Sequence, residues 1–227
     1  MKDKIYSVLC EKSVKALERK ISLTQGHLEL RVDYADDMGE GDIKTLAAAV
    51  KGRKVILTCR TKQEGGQFKG TEKTRIALLK CALNERFTYT DIELATLEKN
   101  NLRFTKPERS KLLISYHNFA KTPSLKSLEA IKKKMLTHKP AVIKIATMVN
   151  KVTDIATLTA FLMETIEEGV KVILIGMGAK GMLTRVFFPL IGSEATYAPT
   201  TKQTAPGQLS REQLMDFTIG NKERRKG

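Results

Sequence analysis

Eight short apolar runs recur along the chain: IYSVLC (5–10), LELRVD (28–33), KVILTC (54–59), YTDIEL (89–94), LLISYH (112–117), AVIKIA (141–146), KVILIG (171–176) and the weaker ATYAP (195–199). Their starts lie 23 to 35 residues apart. Each run has the length of one strand, and each gap has room for a helix and two turns. Helical patterns fill several gaps: DIKTLAAAVKG, TEKTRIALLKCALNE, SLKSLEAIKKKMLTH and TDIATLTAFLMETIEEG. Pro123 suits the first turn of the third, and Thr153 or Asp154 the N-cap of the fourth, with Gly169 past its end. Eight such units predict an α/β fold, a (β/α)8 TIM barrel. An open doubly wound sheet is the rival; it needs fewer units and a recognisable switch-point loop.

No Pro/Gly/Ser-rich linker interrupts the pattern, so residues 1–227 read as a single barrel domain, with 219–227 a frayed basic tail. No apolar stretch approaches the roughly 18 residues of a membrane span. The first residues, MKDKIYSVLCEKSVK, lack a small-residue cleavage site, which predicts no signal peptide. Cys10, Cys59 and Cys81 are odd in number and widely spaced, as expected of free thiols in a reducing cytoplasm rather than of disulfides or a metal site. The formal charge of +15 raises nucleic acid as a partner, but aromatics are only 6% and no basic–aromatic motif accompanies it. Lys132, Lys133 and Lys134 read as the solvated face of a helix.

The alternation of side chains along each strand separates two faces. In LELRVD, Leu28, Leu30 and Val32 take one face; Glu29, Arg31 and Asp33 take the other. The apolar face of a barrel strand meets the helices, so the charges point inward. There they are costly unless they pair or meet a polar ligand. Arg60 ends the third strand, with Glu64 following in TKQEGG. Asp91 and Glu93 share a face of the fourth, His117 ends the fifth, Lys144 lies in the sixth and Arg185 follows the seventh. These groups gather toward the C-terminal strand ends, the face that carries barrel active sites. A structural ion-pair cluster remains the alternative.

Lys144 has two readings: an edge lysine that snorkels to water, or a reactive amine in a dry pocket where desolvation lowers its pKa. In the second, the amine would form an iminium with a ketone and acidify the adjacent C–H, a nearby histidine would move the proton, and arginines would grip a carboxylate. GMGAKG (176–181) matches a dinucleotide fingerprint literally, but the next strand ends without the acidic residue that motif needs.

The blocks ELRVD, TCRTKQEGG, SYHNF with KTP after it, KIATM, GMGAKGMLTR and QTAPGQ, in this order, resemble type I 3-dehydroquinate dehydratase. The resemblance covers nearly the whole chain. It implies a class I Schiff-base TIM barrel that dehydrates 3-dehydroquinate to 3-dehydroshikimate in the shikimate pathway, with no metal and no organic cofactor beyond the covalent imine. It implies Lys144 as the imine-forming lysine, His117 as the general acid and base, and Glu64 as its partner. Glu29 and Arg31, with Arg60 beside them, would hold ring hydroxyls and Arg185 the carboxylate. Thr204 and Gln208 would reach in from a lid, and Met177 and Tyr197 would line the pocket. Tyr197 stands where the family typically has Phe, and Thr204 where Ser is common. With the first strand beginning near Ile5, an N-terminal hairpin closing the barrel bottom is expected to be absent or much reduced. The small-molecule substrate is the expected partner, with a possible homodimer and neither nucleic acid nor membrane. A Schiff-base aldolase and a non-catalytic basic binding protein are the alternatives.

Overall fold

The computed structural model describes residues 1–36, 38–200 and 207–223. In chain order the elements are β1 (Ile5–Leu9), α1 (Val14–Leu23), β2 (His27–Arg31), α2 (Glu40–Ala49), β3 (Val55–Thr58), α3 (Glu72–Asn84), β4 (Tyr89–Glu93), α4 (Leu94–Asn100), α5 (Lys106–Arg109), β5 (Leu112–Asn118), α6 (Leu125–Thr137), β6 (Val142–Met148), α7 (Val152–Glu167), β7 (Val172–Met177), α8 (Thr184–Ile191), β8 (Thr196–Pro199) and α9 (Arg211–Glu223). All eight strands pair in parallel, in the order β7-β6-β5-β4-β3-β2-β1-β8. Between β7 and β8 the seam is drawn together by Leu174 N–H donating to Ser193 Oγ (3.1 Å) and Glu194 N–H donating to the Val172 carbonyl (2.8 Å). This is the (β/α)8 barrel that the eight apolar runs predict.

Alternation along the strands builds two apolar layers. Leu28, Leu30, Leu57, Ile114, Ile145 and Leu174 face outward and pack with Leu17, Leu46, Leu79 and Phe161 of the helices. Ile56, Leu113, Val142 and Ile173 face inward and fill the lower barrel, with Val8 and Ile175 continuing the inward apolar layer toward the mouth. At about 25 cal/mol per Å2 this burial is the dominant favourable term in folding.

Several local details differ from the sequence reading. Pro123 precedes α6 rather than lying in its first turn, and Ser124 is the N-cap, accepting the Ser127 N–H. Lys151 is the N-cap of α7, and Asp154 is its third residue, accepting the N–H groups of Asn150 and Lys151. Gly169 does close α7, with φ +75°. The unmarked helices were hidden for physical reasons: α8 carries Pro189 inside it, and α5 is a single turn. α9 runs to Glu223, so the helix extends into the stretch read as a basic tail, while 224–227 lie outside the described residues. Its start has a capping signal, with Ser210 N–H donating to Gln213 Oε1 and Gln213 N–H to Ser210 Oγ. Lys132 is not solvated: it is buried between Glu129 and Glu168, at 2.8 Å from each, above the Phe161 ring. A single 3-10 turn, Lys2–Lys4, precedes β1.

Arg75 of α3 is fully buried and ties the shell to the barrel. Its guanidinium donates to the Cys59 carbonyl (2.7 Å), Glu93 Oε2 (2.9 Å) and Thr96 Oγ1 (2.6 Å). Replacing it with an apolar side chain removes the cation at Glu93 Oε2 and leaves that buried carboxylate with Arg60, Thr61 and Thr96 alone. Arg75→Met should therefore lower the unfolding free energy by about 3 kcal/mol, read from urea unfolding; a change below about 1 kcal/mol would show that this network contributes little.

Candidate active site

At the C-terminal mouth of the barrel the inward side chains change from apolar to charged and open into a cleft of about 530 Å3 including its mouth. Its centre is Lys144. The residue lies in phase with inward Val142 and Ala146 on β6, so strand geometry directs the amine into the barrel rather than to water. Nζ lies 3.2 Å from Glu29 Oε1 and 3.0 Å from Asp91 Oδ2, and 4.3 Å from the centroid of the Tyr197 ring. The amine is thus held by two carboxylates and an aromatic face, not merely enclosed in apolar surroundings.

The carboxylates are themselves fixed. Glu29 Oε1 also accepts Thr58 Oγ1–H at 3.1 Å. Asp91 Oδ2 also accepts from Arg60 at 2.5 Å, and Arg60 donates further to Ser115 Oγ (2.6 Å) and pairs with Glu93 (3.2 Å). The Arg60 and Lys144 cations hold the Asp91 carboxyl far below the ordinary carboxylate range despite its complete burial. Arg31 forms a two-pronged pair with Asp33, both contacts 2.8 Å, and Asp33 accepts the Gln67 N–H as well.

His117, at the end of β5, meets Glu64 from the β3 loop: Nδ1 to Oε2 is 2.7 Å. The loop sequence follows from this approach. Gly65 sits at φ +80°, and a Cβ there would come within 2.8 Å of Phe119, whose ring stacks on His117. A Cβ on Gly66 would fall 2.0 Å from the Arg60 carbonyl oxygen. Two glycines let the chain turn tightly enough to return Glu64 over the barrel. Burial, reinforced by the nearby Arg60 and Lys144 charges, moves His117 well below its ordinary value. Burial raises Glu64 to about 7, against the opposing pull of Arg60. The pair therefore resists carrying two protons, and near neutrality it changes between one and none.

Arg185, at the start of α8, is buried against the same cleft, and burial lowers it to about 10. Met177, Tyr197 and Gln208 also line it. Thr204 lies outside the described residues. The glycines of GMGAKG serve packing: Gly178 has φ +83°, and a Cβ on Gly181 would meet the backbone of Gly176 and Met177 within 2.6 Å. Gly207, at φ +72°, rests on the Gly178 carbonyl and so seats Gln208 beside this loop. Every other site residue expected from sequence lines the one cleft. Asp91 and Glu93, recognised in sequence as sharing a face, bind the cluster together. Phe119 and Ile175 also line the cleft; the first was visible only inside the SYHNF block, and the second follows from inward alternation on β7.

A carboxylate-flanked amine, an imidazole–carboxyl pair and a buried guanidinium around one cleft suit covalent chemistry on an anionic carbonyl compound. The model of the family described as type I 3-dehydroquinase matches residues 8–218. The chain is 34% identical over 212 residues to the 3-dehydroquinate dehydratase of Methanocaldococcus jannaschii, spanning 91% of this chain and 92% of that one. It is 30% identical over 191 residues to that of Coxiella burnetii, spanning 84% and 80%. The crystal structure of the 3-dehydroquinate dehydratase from Aquifex aeolicus VF5 superposes with a TM-score of 0.77 at 29% identity, covering 96% of this chain and 98% of that one. With fold, cleft and sequence in agreement, the chain belongs to the type I 3-dehydroquinase family.

Proposed function

We propose that the protein is a 3-dehydroquinate dehydratase, a hydro-lyase of the shikimate pathway that works through a Schiff base at Lys144 and uses no other cofactor. Family membership supports the reaction, and the observation that carries the residue assignment is the Lys144 amine inside a cleft shared with the His117–Glu64 pair. The amine attacks the substrate ketone, and loss of water leaves an iminium. The iminium draws electrons from the adjacent C–H bond, and His117 takes that proton. The resulting enamine expels the hydroxyl one carbon further on, which His117 protonates as it leaves. Water then cleaves the conjugated iminium, releasing product and restoring the amine. General acid–base assistance of this kind contributes about 10²–10⁴-fold.

Charge complementarity assigns the remaining contacts. Arg185 carries a buried cation suited to the substrate carboxylate, with Gln208 beside it and Thr204 as a further lid contact. Glu29 and Arg31 suit the ring hydroxyls. Arg60 is committed to Asp91, Glu93 and Ser115, so its part is to fix the carboxylates around Lys144. Met177 and Tyr197 form the apolar wall. We read residues 1–227 as one catalytic domain acting in the cytoplasm, possible as a homodimer. Three free cysteines suit a reducing compartment, and no described helix is long and apolar enough to cross a membrane.

Borohydride reduction in the presence of 3-dehydroquinate or its product should attach one ligand to Lys144, located by peptide mass spectrometry, and Lys144→Ala should abolish it. A label on another lysine would refute the assignment. His117→Ala should still form imine but lose at least about 10²-fold in kcat; near-wild-type turnover would remove its role.

The His117–Glu64 pair sets the pH dependence. With Glu64 ionised, Nδ1–H donates to it and Nε2 is free to accept the substrate proton. Below about 7 Glu64 holds a proton and donates it to Nδ1, which leaves the hydrogen on Nε2. Consequently kcat/KM should fall as pH drops through about 7. Glu64→Gln should lose this limb, and an unchanged limb in that variant would assign it elsewhere.

A further inference from the structure

Tyr197 carries a buried hydroxyl that no described protein group engages. Its ring, inward on β8 and 3% exposed, lies against Lys144 Nζ at 4.3 Å and against the Tyr6 ring at 6.2 Å. Its Oη is buried and has no hydrogen-bond partner among the described residues, and the same holds for Asp91 Oδ1. Burial, together with the Glu29 and Asp91 carboxylates, pushes the phenol well above its ordinary value, so it remains a proton donor. A buried donor without an acceptor is costly and calls for an explanation.

The proton inventory of imine formation supplies one. Free Lys144, as an ammonium, has three N–H groups, and it donates to both Glu29 Oε1 and Asp91 Oδ2. When RNH3+ condenses with a ketone, the carbonyl oxygen leaves as water with two of those hydrogens. The iminium keeps the positive charge and a single N–H. It can no longer serve both carboxylates, and its nitrogen is now tied to the substrate. Thr58 still donates to Glu29 and Arg60 to Asp91, but the donor lost from one of the two acids is not replaced by either.

We propose that Tyr197 is a positioning residue whose hydroxyl is a reserve donor, idle while Lys144 is free and hydrogen-bonded to the Glu29–Asp91 carboxylates once Lys144 is covalently engaged. This rests on the assignment of Lys144 as the imine-forming residue. The ring faces the nitrogen in both states, because the positive charge persists through the condensation. The hydroxyl thus favours the covalent intermediate over the free protein, whereas the ring does not discriminate between them.

Tyr197→Phe keeps the ring and removes the donor. Its Tm without ligand should equal or slightly exceed that of the wild type, since an unsatisfied group is lost. The product concentration giving half-maximal borohydride trapping at Lys144 should rise roughly tenfold or more, the value of a hydrogen bond to a charged group. An unchanged trapping curve with an unchanged Tm would overturn the proposal. Failure to trap the wild type at all would instead overturn the Lys144 assignment. Should the variant fold poorly, a crystal of the wild type holding the unreduced imine decides: Tyr197 Oη within hydrogen-bond distance of Glu29 or Asp91 is expected, and an Oη without a carboxylate partner refutes it.

Discussion

One oxygen atom holds the mouth of this barrel together. Asp91 Oδ2 accepts from both Arg60 and Lys144, and so fixes two cations within a space lined by β2, β4, β5 and β6. Without that anion, two buried positive charges would repel at short range in a poorly screened interior. With it, Arg60 can reach on to Ser115 and Glu93, and Glu93 to Arg75 in the outer layer. The network extends from the Lys144 amine to a helix on the far side of the sheet. Its members are buried, so it is largely insulated from the salt screening that governs surface pairs.

The same cations act on the His117–Glu64 pair. Burial first, and then Arg60 and Lys144, oppose a positive imidazole, while burial opposes a negative carboxyl at Glu64. Each partner is pushed toward its neutral form, and one proton becomes easy to move between them. A fixed scaffold charge thereby tunes a mobile proton, which is the usual way a site combines acid and base work at one residue.

Much of this was legible in the chain itself. A period of two is unambiguous over five or six residues, so Glu29 could be assigned to the inward face once a barrel was inferred, whereas Lys144, with apolar neighbours on both faces of its strand, kept two readings until the family blocks were recognised. Arg75 was not legible. It sits on a helix as an ordinary charged residue, and its partners, Cys59, Glu93 and Thr96, come from elsewhere in the chain. Lys132 misled for the same reason: three consecutive lysines read as a wet face, but Glu168, thirty-six residues on, draws the first of them inside. The start of α7 shows a finer limit. Asp154 has the right chemistry for a cap, but it acts from the third helical position, which spacing alone does not fix. The idle hydroxyl of Tyr197 is a property of three-dimensional surroundings and has no signature in sequence.

The cylinder is not equally strong all the way round. Seven of its strand junctions are continuous ladders, whereas among the described residues β7 and the approach to β8 are joined by a serine side chain and a single main-chain bond. Local opening favours the place with the fewest bonds to break. That place borders β8 and α8, which carry Tyr197 and Arg185. Warming would therefore part the staves on the side that carries one wall of the cleft, and catalysis would fail by leakage at this join before the cask as a whole came apart.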